Sequence, residues 1–73
     1  MEELAKKIEH YLKTDCSDEW HVKIKKGNIV GYYTTYKRFE LNYDEDIEEW
    51  YVSGNFISVE MISNIFEIIK ENQ

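Results

Sequence analysis

The chain has 73 residues, with 15 acidic side chains against 9 basic ones (net charge −6), no proline and one cysteine. That length holds a single domain, residues 1–73, and one cysteine makes neither an internal disulfide nor a cysteine-only zinc site, so a disulfide-stapled secreted scaffold is excluded. An apolar content of 42% is too high for a disordered chain, Met1-Glu2-Glu3-Leu4 lacks the pattern of a signal peptide, and no apolar run approaches the roughly 18 residues of a membrane span, which points to a cytoplasmic protein without membrane contact.

The first element reads as an amphipathic helix. Leu4, Ile8, Tyr11 and Leu12 recur at helical spacing, Glu2 and Glu3 favour its N-terminus, and Lys13 favours its last turn. Thr14 to Asp18 are cap and turn residues that end it. Alternation follows, with Trp20, Val22 and Ile24 on one side of a strand and His21, Lys23 and Lys25 on the other. Gly27-Asn28 reads as a two-residue turn into a return strand over 29–35, with Ile24 opposite Gly31, and a bulged loop around Lys26 gives the competing register. A three-residue loop at Tyr36-Lys37-Arg38 leads into a second hairpin, in which a turn at Glu45-Asp46 pairs Leu41 with Trp50 and Phe39 with Val52. Residues 44–51 also fit a short helix, because Ile47, Trp50 and Tyr51 follow i, i+3, i+4. A last helix starts at Ser58 and carries a wide apolar stripe of Met61, Ile62, Ile65, Phe66, Ile68 and Ile69, wide enough to meet the sheet and the first helix together, or a second copy. The fold class is therefore α+β: an antiparallel β-meander of three to four strands, flanked by an N-terminal and a C-terminal helix packed on one sheet face.

Strand alternation assigns Trp20, Val22, Ile24, Ile29, Tyr33, Phe39, Leu41, Tyr43, Trp50 and Val52 to the helix-covered face. The opposite face carries His21, Lys23, Lys25, Val30, Tyr32, Thr34, Glu40, Asn42, Glu49 and Tyr51. A sheet of this kind can simply leave that face to water. The sharper reading takes Lys23, Lys25, Val30, Tyr32 and Tyr51 as an interface, since tyrosine offers a large contact area with a polar tip. Charge is also segregated. Residues 20–38 hold five bases and no acid, whereas residues 39–60 hold seven acids and no base. Such halves balance each other within one sheet, or pair basic on acidic across a twofold axis. A domain this small buries only about 60% of its unfolded surface, which favours the second arrangement and hence a homodimer.

Catalytic and cofactor motifs are missing from the sequence: it holds no phosphate-binding glycine loop and no GxSxG elbow. His10, Cys16 and His21 lie at loose spacing for a metal site or a nucleophile–base pair, and the acidic run from Asp44 to Glu49 lacks the spacing and the glycine of an EF-hand loop. The expectation is no catalytic, cofactor-binding or metal-binding residue. Lys23, Lys25 and Tyr32 on one strand face would suit a nucleic-acid-stacking platform, but the net negative charge argues against it.

The segments WHVKIKKGNIVGYYTTYKRFELNYD and EEWYVSGNFISVEMISNIFEIIKEN, with the overall length, resemble the YopT-like small prophage proteins of Bacillus, which are distinct from the secreted protease of that name. The resemblance covers the whole chain and implies a homodimer whose subunits each have one helix and three strands. It supplies no functional residues. Taken together, these readings lead to a non-enzymatic homodimeric protein-interaction module, a prophage accessory protein with a host protein as its further partner. The alternatives are a nucleic-acid-binding sheet and, behind it, an enzyme with its site at a dimer cleft.

Overall fold

The computed structural model describes residues 1–54 and 56–72. Helix α1 spans Glu2–Tyr11, four strands follow as β1 (Trp20–Lys25), β2 (Asn28–Tyr33), β3 (Tyr36–Asp44) and β4 (Glu49–Ser53), and helix α2 spans Val59–Glu71. The strands form one antiparallel sheet in the order β1-β2-β3-β4. This is the α+β meander expected from the residues, with one helix and one strand more than the resemblance implied. The second hairpin is strand, not helix, at Glu49–Ser53.

Helix α1 does not stop at Thr14. The coil continues through Leu12–Cys16 as a wider π-turn, closed by the Ser17 amide donating to the Leu12 carbonyl at 2.9 Å. The widened turn keeps Leu12 fully buried while swinging the chain into extended backbone at Ser17. At the other end of the molecule, the Ser58 hydroxyl accepts from the Met61 amide at 3.1 Å and caps α2 as its sequence position predicts.

All three hairpin registers differ from the expected ones, and each keeps the expected faces. The first turn is Lys26-Gly27, not Gly27-Asn28, so Ile24 pairs with Ile29 and Val22 with Gly31. Both turn residues have positive φ (52° and 80°), the backbone of a type I′ turn whose twist suits a tight hairpin. Glycine makes the second of these inexpensive. The third turn is the four-residue loop 45–48, which pairs Leu41 with Val52 and Tyr43 with Trp50. Both shifts are by two residues, so no side chain changes face.

The middle hairpin needs a further device. Its loop is Thr34-Thr35, with Tyr33 paired to Tyr36, and that count alone would turn Phe39 and Leu41 away from the helices. The register breaks between Gly31 and Tyr32, which oppose Phe39 and Lys37, and leaves Arg38 as the extra residue of a bulge. The inserted residue restores Phe39 and Leu41 to the covered face, where both are fully buried.

The core joins Ala5, Ile8 and Leu12, Trp20, Ile29, Phe39 and Leu41 from the sheet, and Ile65 and Ile69 of α2. Trp20 meets Tyr33 edge-on at 5.5 Å and Phe39 at 6.0 Å, an aromatic corner that closes the β1 end. The width of the α2 stripe has its explanation here, because Ile65 and Ile69 enter the core while the helix also lies along α1. Asn64 donates to the Tyr11 hydroxyl at 3.0 Å and Lys7 to the Asn72 side-chain oxygen at 2.5 Å across that helix pair. Among the described residues, no helix is long and apolar enough to cross a membrane.

Candidate interaction surface

The uncovered sheet face gathers four of the five residues expected to form an interface. Lys23 and Lys25 alternate on β1, and Tyr32 on β2 opposes His21, farther from the Lys26-Gly27 turn than either lysine. The Lys25 and Lys23 ammonium groups sit 5.2 Å and 5.7 Å from the centre of the Tyr32 ring, close enough for cation–π attraction to hold both stems against it. Val30 faces the same way but is only 3% exposed, enclosed by its cross-strand neighbours Lys23 and Glu40. It fills the base of the patch and leaves contact with any partner to the side chains above it. Tyr51 shares the face but lies on β4, opposite Asn42 and on the far side of β3, so the structure does not bring it to Tyr32.

Three residues outside the expected interface complete the patch. Lys37 donates to Glu40 at 2.6 Å and Asn28 donates to the other oxygen of the same carboxylate at 2.8 Å. The Lys37 bond, then the Asn28 bond, hold the Glu40 carboxyl below its usual range, and the same contact raises the Lys37 ammonium. The one acid on this part of the face is thereby neutralised, and the β1–β3 region stays basic. Asn28 and Lys37 were hidden by the expected register, which placed both in loops.

Acidic charge collects on the β3–β4 side of the face, at the strand end that also carries the Lys26-Gly27 turn. Asp44 pairs with Glu49 at the top of the β3–β4 hairpin, and Glu45, Asp46 and Glu48 lie in its loop. The Asp44 carboxylate accepts from the Asp46 amide at 2.9 Å, which shapes the loop without calling for a metal ion. At the opposite end of β3, the bulge residue Arg38 lies between the Tyr33 and Phe56 rings at 5.6 Å and 5.7 Å, and its Nε is buried without a hydrogen-bond partner among the described residues.

A second feature is apolar. Of nine large hydrophobic side chains left exposed among the described residues, six fall between Tyr43 and Val59: Tyr43, Ile47, Tyr51, Val52, Phe56 and Val59. They surround β4. Val59 is 83% exposed although helical spacing puts it in line with Ile62 and Phe66, because the first turn of α2 projects past the core. The alternation rule could not show this, since it assigns a face without saying whether anything covers it.

The residues considered for chemistry are not assembled. His10 is exposed on α1, Cys16 is exposed at the end of the π-turn and His21 is exposed on β1. Among the described residues, no three His, Cys, Asp or Glu side chains are grouped to hold a metal ion. The Tyr11 hydroxyl has a raised pKa, chiefly through burial, with Asn64 working in the opposite direction. Compared with protein-family models, with curated proteins and with solved structures, the chain matches none of them.

Proposed function

We propose that this chain is a non-enzymatic protein-interaction module that works as a homodimer. The observation that supports the reading most is the exposure of both Tyr51 and Val52 on the edge strand β4, one on each face, in a domain short enough to bury only about 60% of its unfolded surface. The division of the uncovered face into a basic region at Lys23 and Lys25 and an acidic one from Asp44 to Glu49 adds electrostatic steering of a complementary surface. The resemblance to small prophage proteins supplies a setting, an accessory protein in the cytoplasm acting on a host protein. Sedimentation velocity at micromolar concentration tests the dimer: a species of twice the 8.9 kDa chain mass is expected, and a monomer would sink the reading.

Tyr32 between two lysines favours one second reading, a platform for single-stranded nucleic acid. Against it, the ammonium groups occupy the ring where a base would stack. That reading requires salt-sensitive binding to single strands that is lost on Tyr32→Ala, and an absence of binding at low salt removes it.

A further inference from the structure

We infer that β4 pairs antiparallel with β4 of a second copy, making one continuous eight-stranded sheet; this rests on the homodimer reading and specifies its surface. The two sheet edges differ. Edge strands leave unpaired N–H and C=O groups that must be capped or paired. At the β1 edge two of the three outward N–H groups are capped, leaving that of Ile24: Val22 donates its N–H to the Glu9 carboxylate at 2.9 Å and Trp20 donates to the Ser17 carbonyl at 3.3 Å. At the β4 edge, no such bond from outside the ladder reaches the main chain of Trp50 or Val52 among the described residues. The strand carries no lysine, proline or bulge to discourage pairing.

Ladder alternation then selects a register. Lys25 and Asn28 flank a two-residue turn and form a hydrogen-bonded pair, so Asn28, Val30 and Tyr32 bond to β1 while Ile29 and Gly31 bond to β3. It follows that Glu40, Asn42 and Asp44 bond to Ser53, Tyr51 and Glu49, and that Trp50 and Val52 point their main-chain groups outward. Only a dyad at Tyr51 uses both outward residues at once, with Trp50 opposite the other copy's Val52 and the reverse. That register places tryptophan beside valine on the helix-covered side, where Val52 is 38% exposed in the single chain. On the other side it sets Tyr51 against Tyr51 and Glu49 against Ser53, so no like charges oppose each other.

Charge complementarity points to the same arrangement. Antiparallel pairing brings each acidic loop 45–48 alongside Gly54 of the other copy. A Cβ at Gly54 would lie 2.6 Å from the Arg38 carbonyl, so this is the end of the sheet that carries Arg38 and Lys37. Glu48 of one copy and Arg38 of the other are then two strand spacings apart, about 10 Å between main chains, within the joint reach of their side chains. The half-buried guanidinium with its unpartnered Nε receives an acidic neighbour.

The test uses sedimentation and crosslinking of the full chain. In a Cys16→Ser background, Tyr51→Cys should oxidise to a covalent dimer, because a non-hydrogen-bonded pair on the dyad has Cα atoms about 4.5 Å apart. Glu49→Cys should not, its two copies lying about 14 Å apart. Val52→Lys, with the helix and strand signature of its circular dichroism unchanged, should raise the dimer dissociation constant about tenfold or more. A dimer that survives Val52→Lys and fails to crosslink at position 51 overturns β4 pairing and leaves self-association standing. A monomeric parent chain overturns both.

Discussion

Replacing Gly31 with alanine should destabilise this protein far more than a single methyl group ordinarily does. Gly31 does not need a positive φ; it is glycine because Phe39, its cross-strand partner, lies over it. A Cβ built there meets the Phe39 ring at 2.0, 2.3 and 2.7 Å. Ordinary carbon contact is near 3.5–4.0 Å, so the ring must retreat by about 1.5 Å. It has nowhere to go, since Phe39 is fully buried and set against Trp20. Overpacking of this kind costs about 1–3 kcal/mol, and expulsion of the ring would approach the roughly 3–5 kcal/mol of deleting it. Alanine recovers about 0.5–1 kcal/mol in a strand. A net loss of about 2–3 kcal/mol is expected, from a total of about 4–11 kcal/mol for a chain of this length. At roughly 4–8 °C per kcal/mol, Tm should fall by about 10–20 °C in melts run at one fixed protein concentration. The cause is isolated by Phe39→Leu, which makes room: the double variant should lose at least about 1 kcal/mol less than the sum of the two single ones. A Tm change under about 4 °C, or strict additivity, would show that the Phe39 ring moves aside freely.

Four further outcomes follow from the same structure. Ser58→Ala should cost about 1 kcal/mol in urea unfolding by removing the α2 cap, and a cost near zero would show that the hydroxyl bond to Met61 is not formed. Thr34, a β-branched residue at φ 55°, should gain about 0.5–1 kcal/mol as Thr34→Asn, measured by thermal melt; a loss would mean its side chain makes a contact worth more than the strain. Glu40 should titrate below the ordinary carboxylate range by NMR and move up in Lys37→Met and Asn28→Ala. Because its folded pKa is depressed, the stability it contributes is present above the unfolded value of about 4.3 and is lost as pH falls through the folded one; an unshifted titration would remove both bonds from the account. Glu9→Ala should speed hydrogen exchange at the Val22 amide while leaving Val30 protected, and equal rates in both proteins would show that Glu9 does not cap the β1 edge.

Part of the candidate surface is legible in the sequence. Lys23 and Lys25 alternate with Val22 and Ile24, and Tyr32 holds the same phase on the next strand, so their shared face follows from the two-residue period alone. Asn28, Lys37 and Glu40 are not legible as a group, because their meeting depends on turn lengths that local residues leave ambiguous. Lys26-Gly27 and Gly27-Asn28 are both acceptable two-residue turns, and the choice between them is made by which pairing the whole sheet accepts.

Strand phase, helix stripes and the Ser58 cap were determined by the sequence itself, since each rests on contacts between residues a few positions apart. The bulge at Arg38, the burial of Val30 and the cap on Val22 come from tertiary structure. Arg38 is extruded because two hairpins with fixed inner faces must share β3. Val30 is buried because residues from strands on both sides close over it. The β1 edge is capped at Val22 because α1, which precedes the sheet in the chain, delivers Glu9 to it. What leaves the β4 edge open is the same kind of fact: no element follows β4 on that side of the sheet among the described residues, and only the assembled chain shows which edge was left without a neighbour.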